Sequence, residues 1–127
     1  MTDRIFVFLG AINMFLAVGA GAFGAHGLRQ VLSSEMLAVW QTGVTYHIAH
    51  ALGLLALAAL GARYGGTLWT LAGWLMFAGI VLFSGSLYLL SATGVRWLGA
   101  ITPIGGAAFL VAWAIVAWAA WNPASGR

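Results

Sequence analysis

The chain has 127 residues, of which 63% are hydrophobic and only 6% charged, with a net charge of +3 and no cysteine. This length fits one domain, and the composition excludes a water-soluble fold, because so small a domain cannot hide that much apolar surface. The five arginines stand singly between apolar runs, which excludes the basic patch of a nucleic-acid interface. The absence of cysteine excludes disulfides, thiolate metal ligands and a cysteine nucleophile.

Four apolar runs follow one another along the chain, each long enough to cross a bilayer core of about 30 Å as a helix. The predicted spans are residues 5–24, 44–62, 68–90 and 99–121. Short turns at 63–66 and 93–96 make the last three spans antiparallel neighbours. We therefore predict an all-α membrane protein, a four-helix transmembrane bundle formed by a single integral membrane domain over residues 1–127.

The connection between the first two spans, residues 24–43, is the most polar part of the chain interior. Ser33 or Ser34 can cap a helix there, and Glu35 in its first turn would complement the helix dipole. We expect either a short interfacial helix or a polar first turn that continues into the second span.

Two histidines, His47 and His50, open the second span three residues apart, so they share a helix face. Imidazole is costly in contact with acyl chains, so both rings are expected to face the bundle interior. The up-and-down topology gathers all three histidines and most hydroxyl groups in one half of the membrane. The candidate ligand-binding residues of that half are His26, Tyr46, His47, His50, Ser84, Ser86, Tyr88 and Arg96.

These histidines allow two interpretations. One is a metal site, in which His26, His47 and His50 bind a transition metal and Glu35 is a fourth ligand or an acceptor for an imidazole. Three histidines without cysteine are an incomplete ligand set, and haem is less favoured because two ligands on one helix face cannot occupy opposite sides of one iron. The other interpretation is that the imidazoles form hydrogen bonds that pin the helices together.

The serines do not indicate an enzyme. Ser84 and Ser86 are two residues apart on a helix and face different directions, so at most one can face the histidine pair. Glu35 is the only acid near enough to orient an imidazole. We predict no catalytic constellation.

Four ordered segments carry a family resemblance: residues 21–28 (GAFGAHGL), 46–52 (YHIAHAL), 83–88 (FSGSLY) and 101–106 (ITPIGG). Together they resemble the YgdD-like family, small bacterial inner-membrane proteins of unknown function. The resemblance covers nearly the whole chain. It implies a four-helix, multi-pass protein of the bacterial inner (plasma) membrane and implies no activity or catalytic residues.

The arginines predict an orientation. The side of the termini carries Arg4, Arg63 and Arg127, whereas the opposite side carries Arg29 and Arg96. The positive-inside rule then puts both termini in the cytoplasm.

Two functions from different classes fit these residues. The first is a small membrane protein whose polar, histidine-containing pocket near one membrane face binds a small ligand, a lipid headgroup or a metal, or passes a small solute. The alternative is an accessory or assembly subunit that docks on a larger membrane complex or forms a homo-oligomer. In either case the partner around it is the lipid bilayer.

Overall fold

A computed structural model describes residues 2–122 as four long helices with no strand among them. Two short 3₁₀ turns, Leu28–Gln30 and Arg96–Ala100, lie in the connections. The helices are α1, Thr2–His26; α2, Ser34–Tyr64; α3, Thr67–Thr93; and α4, Thr102–Trp121. All four are apolar and long enough to cross a membrane. The predicted all-α, four-helix transmembrane fold is confirmed.

Helix α2 begins well before the apolar run. The Ser33 hydroxyl accepts a hydrogen bond from the Met36 backbone N–H at 3.1 Å, and Glu35 lies in the first turn. Both features stabilise a helix start. Of the two expectations for the connection, the structure has the polar first turn continuous with the second span.

The four helices differ in how deeply they are buried. Half of the most apolar stretch of α2 is buried, against about a fifth of α1 and α4. The buried positions of α1 lie on one face, three, four or seven residues apart: Phe6, Gly10, Asn13, Ala17 and Gly24. This helix packs mainly against α2, and Phe6 also lies against Trp74 of α3. Helix α2 is therefore the centre of the bundle, with α1 against one side of it and α4 packed mainly on α3.

Helix α3 is irregular in the middle. Its α-helical parts, Thr67–Gly79 and Gly85–Thr93, are joined by a π-helical segment, Ile80–Ser84, in which the Gly85 N–H donates to the Ile80 carbonyl. Such π segments often mark functional sites. Gly94, with φ of 72°, ends the helix in the left-handed conformation that glycine adopts without strain.

Helices α3 and α4 touch at this segment. A Cβ on Gly105 would lie 2.3 Å from the Phe83 backbone nitrogen, so only glycine fits there. The main apolar core lies in the half of the bundle that contains the α2–α3 turn. Its larger members are Phe6, Leu54, Leu57, Trp69, Met76 and Phe109. The hydrogen-bonded histidines lie at the edge of this core, where the His50 ring contacts Phe109.

Candidate functional site

His47 joins three helices through its ring. Its Nε2 lies 2.9 Å from Asn13 Oδ1 on α1, and its Nδ1 lies 2.9 Å from the Tyr88 hydroxyl on α3. The Asn13 Nδ2 donates to the Leu9 carbonyl at 2.8 Å, which turns its Oδ1 towards the histidine. Since Oδ1 can only accept, Nε2 carries the proton and donates it, and the unprotonated Nδ1 of the neutral ring accepts from Tyr88. Asn13 and His47 are only 6% and 4% exposed.

A cavity of about 370 Å³ borders this His47 centre, between α1 and α3. Its polar lining consists of Asn13, His47, Ser84 and Tyr88, and the rest is apolar or glycine. The Ser84 hydroxyl is already used, donating to the Gly43 carbonyl of α2 at 2.8 Å. The remaining hydrogen-bonding capacity at the cavity is the Tyr88 and Ser84 oxygens as acceptors and the second N–H of Asn13 as a donor.

His50 forms a separate centre, directed towards α4. Its Nδ1 lies 2.8 Å from the Tyr46 carbonyl, and its Nε2 accepts from the Trp113 indole N–H at 3.0 Å. A carbonyl only accepts, so the proton is on Nδ1, the opposite tautomer to His47. The ring also stacks on Phe109, with centroids 3.5 Å apart and planes 8° apart. A second ring proton would face the Trp113 N–H, so this arrangement holds a neutral imidazole.

The interior placement of His47 and His50 is confirmed, since both are buried and hydrogen-bonded at both ring nitrogens. The third histidine is elsewhere. His26 is exposed at the end of α1, where it lines another cavity with Arg29 and Gln30. Because Asn13 marks the level of His47 on α1, His26 is about 20 Å away along the helix axis.

The other predicted site residues are also dispersed. Glu35 and Arg96 are exposed in the first turn of α2 and in the 3₁₀ turn before α4. Ser86 is buried, 2.6 Å from the Thr102 hydroxyl of α4, and also bonds the Phe83 carbonyl. Within residues 2–122, no three His, Asp or Glu side chains are placed to hold a metal ion. The expected convergence of His26, His47 and His50 with Glu35 is not found, because α1 and α2 run antiparallel and leave His26 at the helix end.

Sequence reasoning missed three residues of the two histidine centres. Asn13 is not among the predicted site residues, although a lone amide in an apolar span is itself a sign of a specific role. Trp113 and Phe109 carried no such signal, because each is one of many aromatic residues in an apolar span.

The fold and the two centres define a class: a small four-span membrane protein with two buried histidines in fixed tautomers. Residues 20–106 match the family profile described as "Protein of unknown function (DUF423)", and the chain belongs to this family.

Bacterial relatives agree with this assignment. UPF0382 membrane protein YwdK of Bacillus subtilis is 58% identical over 118 residues, which cover 92% of this chain and 96% of the relative. UPF0382 membrane protein SSP2132 of Staphylococcus saprophyticus is 52% identical over 111 residues, covering 87% of this chain and 91% of the relative. No solved structure matches the chain. The relatives share the membrane assignment, and their names state no activity.

Proposed function

We propose that this protein binds a small, largely apolar molecule with one hydrogen-bonding group in the cavity beside His47. The observation that carries the proposal is the combination of an apolar cavity of about 370 Å³ with a buried, fully oriented polar centre at its wall. That volume lies at the small end of the roughly 300–1,000 Å³ range of ligand pockets, which are typically apolar with few, well-placed polar groups.

The rim of the cavity supports entry from the lipid phase. Leu16 of α1 and Val81 of α3 line it and are 53% and 54% exposed. A ligand dissolved in the bilayer would keep its apolar part against these side chains. Its polar group would donate to the Tyr88 oxygen or accept from the free N–H of Asn13.

Gly85 provides a way to block the cavity. It lies on the cavity wall, and a Cβ added there would meet nothing within 4 Å. Gly85→Leu should therefore fill the space without disturbing the helices. Gly19 is the matched control, because a Cβ there is equally unhindered and it is not among the residues that line the cavity.

The test is native mass spectrometry of the protein purified in nanodiscs, followed by identification of released small molecules. The wild type and Gly19→Leu should retain a molecule that Gly85→Leu loses. Tyr88→Phe, which keeps the cavity and removes its hydroxyl, should retain less of it. If the wild type carries no small molecule, or if Gly85→Leu carries as much as Gly19→Leu, the His47 centre only pins the helices and the proposal fails.

The proposal includes a location. The protein would lie in the bacterial inner membrane with both termini in the cytoplasm, as the YgdD-like resemblance and the distribution of arginines suggest. Because the chain has no cysteine, a single introduced cysteine can show on which side of the membrane a connection between helices lies. Val95→Cys should react with an impermeant maleimide in intact spheroplasts, and Thr67→Cys only after lysis. The reverse pattern would invert the orientation.

A further inference from the structure

A second cleft, of about 550 Å³, lies beside His50 between α2 and α4, with Phe83 of α3 also in its lining. Its aromatic lining is Tyr46, His50, Phe83, Phe109 and Trp113. Tyr46 and Trp113 are 43% and 42% exposed, so the cleft opens sideways from the bundle. On a membrane-spanning protein that side faces lipid, and molecules that enter the cleft come from the bilayer.

The aromatic side chains behind this cleft are packed on one another and held in place. The rings of Tyr46, His50 and Phe109 are nearly parallel, with planes 8° to 11° apart in each pair. Hydrogen bonds at both nitrogens fix the His50 ring. His50 and Phe109 are buried in this stack, and Tyr46 and Trp113 are partly exposed to the cleft. Aromatic rings that need no rearrangement favour a planar partner, because aromatic contact adds to apolar contact and little entropy is lost on binding.

Tyr46 contributes an unused hydrogen-bond donor. Its carbonyl serves His50, whereas its hydroxyl has no hydrogen-bond partner within residues 2–122. The ring packs on Phe83, with centroids 4.5 Å apart, and Phe83 is about 15 Å along α3 from its end at Thr93. At that depth lipid tails offer no acceptor, so an unpaired hydroxyl is costly and a ligand carbonyl would satisfy it.

We propose that the aromatic cleft binds the ring of an isoprenoid quinone. The quinone is planar, dissolves in the bilayer and carries carbonyl acceptors. Its ring lies against the partly exposed Tyr46 and Trp113 rings, and one carbonyl accepts from the Tyr46 hydroxyl. Its tail leaves along the exposed Ala107 and Leu110 of α4. This site is separate from the His47 cavity and does not depend on it.

Two substitutions of residues that line the aromatic cleft test this site. Tyr46→Phe keeps the ring and removes only the hydroxyl. Gly106→Leu fills the cleft, since a Cβ on Gly106 would lie 3.7 Å from the Phe83 ring, an ordinary contact, and the longer side chain continues into the space. Gly106→Ala controls for loss of the glycine itself, and Gly85→Leu blocks the other cavity.

The assay is quenching of tryptophan fluorescence by decylubiquinone and menaquinone-4 in nanodiscs, with empty nanodiscs as the partition control. We expect saturable binding to the wild type, Gly106→Ala and Gly85→Leu. Tyr46→Phe should bind about threefold to tenfold more weakly, as for one lost hydrogen bond, and Gly106→Leu should show no saturable binding.

Three results would overturn the proposal. The first is the lack of saturable quenching by the wild type. The second is equal displacement of the quinone by saturated decylcyclohexane, which would mean that the cleft takes any hydrocarbon. The third is loss of binding in Gly85→Leu but not in Gly106→Leu, which would make quinone a ligand of the His47 cavity instead.

Discussion

Replacing Asn13 by leucine tests whether the His47 centre holds α1 to α2. The substitution removes the acceptor 2.9 Å from His47 Nε2 and leaves a ring N–H unpaired on a side chain that is 4% exposed. The bond from Asn13 to Leu9 lies within α1, so its loss does not affect the helix contact directly. The extra apolar surface of leucine adds little, because lipid is as apolar as the helix interface.

The expected loss follows from these contacts. An interhelical hydrogen bond in a membrane averages about 0.6 kcal/mol and reaches about 1.7, and an unsatisfied buried donor costs about 1–3 kcal/mol. We expect Asn13→Leu to lower the free energy of unfolding by about 1–2 kcal/mol, within these two ranges. In a double-mutant cycle with His47→Leu, the coupling free energy should be about 0.6–1.7 kcal/mol, which is the range for the single hydrogen bond between Asn13 and His47.

The assay is reversible unfolding in mixed micelles, followed by circular dichroism. Leu16→Ala is a suitable control, because Leu16 is on the same helix and exposed. A coupling indistinguishable from zero would contradict the hydrogen bond. A loss below about 0.3 kcal/mol for Asn13→Leu, half of the average membrane hydrogen bond, would show that water or another group replaces the amide.

Three further results are expected. Trp113→Phe should lower the free energy of unfolding by about 0.6 kcal/mol, because the hydrogen bond to His50 is lost. An unchanged unfolding midpoint would mean that this hydrogen bond does not stabilise the protein. Gly85→Ala should raise the free energy of unfolding by up to about 1 kcal/mol, because the added Cβ enters open space. Gly94→Ala should lower it by about 1–2 kcal/mol, because Gly94 has a φ of 72°. Equal effects of the two substitutions would refute this reasoning. Zn²⁺, Cu²⁺ or Ni²⁺ should leave the melting temperature unchanged, since both nitrogens of His47 are engaged; a rise that His47→Ala abolishes would restore the metal interpretation.

The amino-acid sequence alone determines the solvent and the number of spans. A chain of this length that is 63% hydrophobic cannot bury all of its apolar surface within its own fold, so lipid must surround it. The number and length of the apolar runs predict four membrane-spanning helices. The interior position of His47 and His50 follows from the same reasoning, because lipid offers imidazole no partners.

The partners of each histidine depended on the tertiary structure. His47 and His50 share one face of α2, yet one ring reaches α1 and α3 while the other reaches α4. The sequence did not predict that Asn13 would bond to His47 or that Trp113 would bond to His50. Helices that are apolar all round carry no polar face that fixes their rotation about the axis.

Rotation and axial register are set instead by close packing between helices, as where the Phe83 backbone lies against Gly105. Such contacts join residues far apart in the chain, so local sequence patterns do not contain them. The sequence alone therefore determined that polar groups would gather inside the bundle. Only the packing of α1 and α3 on α2, and of α4 mainly on α3, divided them into the His47 cavity, the aromatic cleft and an isolated His26.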